Sequence, residues 1–411
     1  MIKEQYTSNI KQTALNIVNS KIESSRQKNI SKTGIRIYKD SFIGVAGAIG
    51  KYDEAKLTND AVEALEQHVE YNCSPSENRC EKLDKSSEII NDKDFIGEFQ
   101  ETLESLSKEQ NEFIFSNKII MTEVTTSLKN DKNLDLEYKD KALNIELVFK
   151  EKSSSNIFDG FVGYESRKYD RKKFLEESNM FLNAYKNKVE LPKSSICPVI
   201  FGNTSMDFFL KLVSDLNGKL FGTGSSLFSN KIGQQAFSDK FTFYQTSNPD
   251  DVYNTPFFDA EGVVNKDYRY ALIENGVIKT PYTDKKTSRT FSLTHTGSAE
   301  AAYDAIPDIG LSGFKAKESN MSVKELLGGE MGIFVLIASG GDSTPDGNFA
   351  TPVQLGFLFD GEKLIGRLPE FQLSSNVFDM FGKLYRGVGC NNIFPLSEEK
   401  FVVSELKVSK I

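Results

Sequence analysis

Between Glu112 and Phe149 the apolar residues fall on alternate positions, and this period of two constrains the fold more than any other feature of the chain. Ile114, Ile119, Met121 and Val124 mark one such segment; Leu134, Leu143, Ile145, Leu147 and Phe149 mark others. Side chains on a strand point alternately to its two faces, so the pattern predicts antiparallel strands with one face covered. Ile35–Tyr38 and Phe42–Ile49 read as further strands. Three segments show helical spacing instead: Thr58–Tyr71, with Thr58 as its cap, Phe95–Leu106, and Phe174–Lys186. Residues 10–27 are also predicted to form an amphipathic helix, from Ile10, Ala14, Ile17, Val18 and Ile22. The polar stretch Ser74–Lys93 reads as a loop.

Leu191-Pro192-Lys193-Ser194-Ser195 reads as a linker and places a boundary near residue 190. Beyond it, strand and turn signals dominate. Asn275-Gly276 and Asp360-Gly361 each separate two apolar runs, which predicts hairpins, because type I′ turns need two residues at positive φ. The expectation is an α+β protein: an N-terminal helix and antiparallel-sheet domain (1–190), then a β-rich domain (191–411).

The formal net charge of −8 argues against general nucleic-acid binding, which needs clustered Lys and Arg. No run of about 18 apolar residues exists, and the N-terminus lacks the features of a secretory signal. A cytoplasmic protein with no membrane partner is expected, its four cysteines (Cys73, Cys80, Cys197, Cys390) reduced. Phe, at 31 residues with no Trp in the chain, should supply most of the aromatic core.

Only two histidines are present, His68 and His295. Histidine is the commonest metal ligand and the usual proton shuttle near neutral pH, so little of either chemistry can be assembled here. His68, Cys73 and Cys80 match no common zinc spacing. Gly340-Gly341-Asp342 is read as a turn, since no Gly-Lys-Ser/Thr follows.

Val199–Gly202 reads as a strand, followed by a helix from Thr204, its cap with Asp207, to Gly218 in the C′ position. Then come Gly224–Gln234, Phe258-Asp259-Ala260-Glu261-Gly262-Val263, Leu272–Lys279, Thr296-Gly297-Ser298-Ala299, Gly341-Asp342 and Gly347-Asn348-Phe349. This ordered series resembles the TldD/PmbA family, also called DNA-gyrase modulators or TldD/TldE peptidases, over roughly 197–411. In that family's catalytic branch the helix carries HExxxH. Two imidazoles and a later cysteine hold zinc there, and the glutamate activates water. Here Lys211 and Leu216 stand in the histidine places and Leu212 in that of the glutamate, and Cys390 lacks the local motif of the late ligand. The departure resembles the PmbA/TldE branch.

The resemblance implies a non-catalytic subunit of a metallopeptidase that cleaves or matures unstructured peptides. Zinc is then expected in a TldD-like partner and no cofactor in this chain. The rival is a homodimeric peptide-binding or scaffold protein, and a further one an independent hydrolase. A Lys211–Ser214 dyad is weighed against a surface Lys211–Asp215 pair, worth about 0.3–0.5 kcal/mol. Asp259 and Glu261, alternate residues on one face, are assigned to a peptide groove or subunit interface. His295 is assigned to a structural role or to a contact with peptide or partner.

Overall fold

The computed structural model describes residues 1–394 and 396–411. Two strands of unusual length begin the chain, β1 (Ile2–Val18) and β2 (Lys21–Lys39), joined at Asn19-Ser20 and followed by β3 (Phe42–Ile49). Asn19 and Ser20 sit at φ +49° and +64°, which is type I′ hairpin geometry. The helix expected over 10–27 is therefore absent. Its apolar residues allow helical spacing, but Thr7, Ile10, Thr13, Ile17, Val18 and Ile22 are β-branched. A complete ladder to β5 (Phe113–Asn130) supplies partners that local periodicity could not show.

Asp53 caps α1 (Glu54–Glu63) by accepting from the Lys56 amide at 3.1 Å, so Thr58 lies inside the helix rather than at its start. A 3₁₀ turn over Ala64–Gln67 then ends at His68 in left-handed geometry, and the chain is extended by Tyr71. His68 packs edge-on against Phe42, ring centres 5.1 Å apart. The expected loop at 74–93 contains a strand, β4 (Arg79–Asp84), which pairs in parallel with the first half of β6 (Leu134–Glu151). β7 (Gly160–Ser166) pairs with the second half of the same edge. The sheet order is β3-β2-β1-β5-β6-β4, with β7 beside β4. Helices α2 (Phe95–Glu109) and α3 (Arg171–Lys186) lie where the periodicity put them.

The second half begins with β8 (Ile196–Gly202), α4 (Met206–Asp215) and α5 (Gly218–Gly222). A small sheet follows: β9 (Phe243–Thr246), β10 (Arg269–Glu274) and β11 (Val277–Ile278). The β10–β11 turn has Asn275 and Gly276 at φ +47° and +80°, as expected. After α6 (Lys285–Phe291) come β12 (Ala299–Glu300), β13 (Asp308–Ile309), β14 (Phe314–Ala316) and α7 (Val323–Leu327). β15 (Gly332–Ala338), β16 (Asp342–Ser343), β17 (Asn348–Phe359), β18 (Leu364–Arg367) and β19 (Phe371–Asn376) lead to α8 (Val377–Met380), β20 (Tyr385–Val388) and β21 (Phe401–Lys410). The order β15-β8-β21-β19-β17 closes on itself through β15–β17 pairing, giving a barrel-like sheet. The Asp360-Gly361 turn joins β17 to β18 as expected.

The molecule is thus α+β and strand-rich. One core joins Leu15, Phe99, Phe149 and Phe174 to Ile200, Phe334, Phe357 and Phe401, so apolar side chains from both sides of residue 190 share one interior. A second core packs around α4 and is dominated by Phe, including Phe209 against Phe381 at 5.0 Å between ring centres. Among the described residues no helix is long and apolar enough to cross a membrane.

Candidate functional site

The expected apolar stripe of α4 is buried: Phe208, Phe209, Leu212, Val213 and Leu216 all face the second core. Its start differs from the sequence reading. Ser205 is the cap residue, while the Thr204 amide and hydroxyl donate to Glu399 at 3.0 and 3.1 Å. Gly218 does not end the helix. It opens α5, where an added Cβ would lie 2.7 Å from the Tyr282 carbonyl oxygen.

Leu212 and Leu216 are each 0% exposed. Lys211 reaches Asp215 at 2.7 Å, with side-chain exposures of 17% and 5%, so this i,i+4 pair is shielded rather than lying on the surface. Asp215 also accepts from the Leu227 amide at 2.7 Å, tying α4 to the segment that follows α5. Lys211 thus points to a carboxylate, whereas a Ser–Lys base would need it desolvated beside Ser214. These positions do not fit zinc: an ion-paired ammonium and two hydrocarbon side chains offer no lone pair to a metal. Among the described residues no group of three or more His, Cys, Asp or Glu side chains is placed to hold a metal ion. All four cysteines are free thiols; Cys73 is half-buried, Cys80 and Cys390 are exposed, and Cys197 is buried.

Asp259, Glu261 and His295 come together, but Asp259 and Glu261 lie in a turn rather than on a strand face, and the three form a buried polar knot within the chain. Asp259 is 8% exposed and Glu261 2%. Asp259 accepts three backbone amides, from Glu261 at 3.0 Å, Val263 at 2.8 Å and Ala299 at 3.1 Å, which fixes the turn through Gly262 at φ +72°. Glu261 accepts the Tyr71 hydroxyl and the Lys285 amide at 3.0 Å, and lies 3.9 Å from His295 Nε2. The Lys285 ammonium donates to the Ser74 carbonyl at 2.9 Å and Ser76 Oγ at 3.0 Å. The His295 side chain is 32% exposed and is the outermost member of the trio. On either side of it Thr283 and Thr296 lock together, each hydroxyl accepting the other's amide, at 2.8 and 3.1 Å.

Sequence reading missed the partners of this knot. Arg36 and Glu4, each 1% exposed, pair at 3.3 Å beneath it, and Arg36 also donates to the Ala260 carbonyl. Tyr38 and Asn130 donate to Glu4 at 2.9 and 3.1 Å. A charged Arg on a strand otherwise reading as core was the available signal. A fully buried Arg is rare unless paired.

Burial, and next the neighbouring Glu261 charge, push the Asp259 carboxyl up to about 7. Burial would raise Glu261 as well, but the nearby His295 imidazole, the hydrogen bond from the Tyr71 hydroxyl and the Lys285 charge outweigh it and hold Glu261 below its ordinary value. The two have opposite effects on stability. The folded state keeps a proton on Asp259 that the unfolded chain releases at about pH 4, so this group stabilises the fold below that and loses its contribution as pH rises to about 7. Glu261 stabilises above its unfolded value and loses its contribution as pH falls. Asp259→Asn should therefore flatten the fall in thermal midpoint between about pH 5 and about pH 8, an effect on the order of 1–4 kcal/mol. An unchanged slope in a pH series of melts would mean that Asp259 is ionised in the fold throughout.

A barrel-like sheet with α4 packed on a phenylalanine-rich core, beside a large, mainly antiparallel sheet, defines a strand-rich α+β protein. Residues 194–411 match the family model described as the PmbA/TldA metallopeptidase C-terminal domain, and the chain belongs to that family. An uncharacterised protein of Methanocaldococcus jannaschii is 23% identical over 363 residues, covering 85% of this chain and 82% of that protein. Among solved structures, TldE from Thermococcus kodakarensis superposes with a TM-score of 0.77 at 17% identity, covering 99% of this chain and 96% of that one. A proposed DNA gyrase modulator from Thermotoga maritima gives a TM-score of 0.77 at 16% identity with the same coverage. These likenesses establish the shared fold over nearly the whole chain.

Proposed function

We propose that this chain is a TldE-like, non-catalytic subunit of a cytoplasmic two-subunit metallopeptidase that cleaves or matures unstructured peptides. The zinc belongs to a TldD-type partner. The observation that carries this reading is the state of α4. Lys211 is locked to Asp215, and Leu212 and Leu216 are sealed in a Phe-rich core. The scaffold is kept while the ligand positions serve packing, which suits a subunit that shapes a complex rather than one that activates water. Its roles would be to close the cleft, to exclude folded substrates, and to offer strand edges to an extended peptide. In this reading His295 is the member of the knot that meets peptide or partner, with Asp259 and Glu261 fixing the wall behind it.

Three measurements test this: peptidase activity, bound zinc and mass in solution, for the chain alone and with a co-expressed HExxxH-bearing relative. The expected result is a stable complex that cleaves peptides and is silenced by a chelator, with no cleavage by the chain alone. Lys211→Ala should leave the activity of the complex nearly intact. Stoichiometric zinc together with activity in the isolated chain would overturn the proposal. A homodimer that ignores the relative would favour the scaffold reading.

A further inference from the structure

Between β7, α3 and the segment leading into β21 lies a cavity of about 390 Å³, walled by Phe161, Phe174, Phe181, Phe334, Phe394 and Phe401. Two carboxylates, Glu177 and Glu399, also line it. Gly163 and Thr204, both exposed, stand on its lining and mark a way in. A second cavity of about 430 Å³ adjoins it, sharing Thr204, Ser397 and Glu399 as a common wall. Glu165 lies on the lining of this outer chamber.

The charges of the two chambers are unevenly compensated. Asp250, Asp251 and Glu398 are ion-paired, with Lys85, with Arg269 and Lys315, and with Lys168. Lys315 and Lys400, the cations on the outer lining, are directed to Asp251 and Glu318. Among the described residues Glu165, Glu177 and Glu399 have no ion pair. Glu177 accepts only the Leu396 amide, at 2.7 Å, and Glu399 is held by Thr204. Burial pushes both carboxyls above their ordinary range. Aromatic walls favour an apolar stem and attract a cation to the ring faces, while Glu177 and Glu399, which have only the more distant Lys173 and Lys315 charges and no direct ion pair, favour a positive head group.

We propose that this paired cavity is a binding site for a primary ammonium carried on an apolar stem, held by Glu177 and Glu399 within the phenylalanine walls. The same chemistry comes from a free arylalkylamine or from the N-terminal residue of a peptide. The site stands independently of the subunit role proposed above.

Phenethylamine and phenylpropionate, similar stems of opposite charge, are titrated into the full chain and followed by calorimetry or NMR. The amine is expected to bind, and the acid to bind at least about tenfold more weakly. Glu177→Gln and Glu399→Gln should each weaken the amine by about tenfold while the variants remain folded. Phe-Gly-Gly-amide against its N-acetyl form separates the sources. Binding abolished by acetylation assigns the site to a peptide N-terminus, and binding by the free amine alone assigns it to a small amine. Absence of binding by both amines up to about 10 mM, or equal binding of phenylpropionate, overturns the proposal. Should either Gln variant fail to fold, the comparison of ligand charges on the unaltered chain decides.

Discussion

Leu212→Glu is expected to destabilise the protein by about 4 kcal/mol or more, enough to unfold most domains of ordinary stability. Leu212 is fully buried among Phe rings, so the glutamate that HExxxH would require at this position has no water, metal or cation to meet it. The carboxyl would take up a proton or break the core open. Leu212→Met keeps volume and apolarity and should cost less than about 1.5 kcal/mol. Denaturant melts of the two variants distinguish a sealed core from a site that merely lost its ligands. A Leu212→Glu protein as stable as the methionine variant would show that the helix still opens onto solvent. The same argument means that HExxxH cannot be written into α4 without changing the surrounding aromatic packing.

Arg36→Met should cost about 3–5 kcal/mol, because it leaves the Glu4 carboxylate buried without its cation. Tyr38 and Asn130 would still donate to Glu4, but neither carries charge. The loss should also loosen the 259–263 turn, whose Ala260 carbonyl accepts from Arg36. Pairing the change with Glu4→Gln should recover part of the stability, and a double-mutant cycle by chemical denaturation measures the coupling. A single-variant cost below about 1 kcal/mol would place the pair in water rather than in the interior.

The parts of the fold that could be read from sequence are those whose cause is local. Alternation over 112–149 marked β5 and β6, helical spacing marked α2, α3 and α4, and Asn275-Gly276 marked its hairpin, since each records burial or backbone geometry within a few residues. The β1–β2 hairpin was misread because its apolar spacing fits both periods, and what decides it is the ladder to β5, about a hundred residues on. β4 carries no alternating apolar signal; an edge strand in parallel pairing with one neighbour needs none. Thr204 has the chemistry of a cap, yet Glu399 claims it from 195 residues away.

The candidate site divides in the same way. The buried stripe of α4, with Leu212 and Leu216, could be read because helical spacing placed it; the nearness of Asp259, Glu261 and His295 rests on the turn at 259–263. That the latter group would be sealed by Tyr71, Arg36 and Glu4 could not be read, since those partners come from the distant N-terminal part of the chain. The cavity beside α3 was likewise invisible, because its phenylalanines come from five separate stretches of chain.

The shared interior around Phe149, Phe174, Phe334 and Phe401 bears on inheritance. Recombination that exchanged the first 190 residues for those of a distant relative would bring together walls shaped for different neighbours, and the misfit would fall on these core phenylalanines. Change in either half is therefore constrained by volumes set in the other.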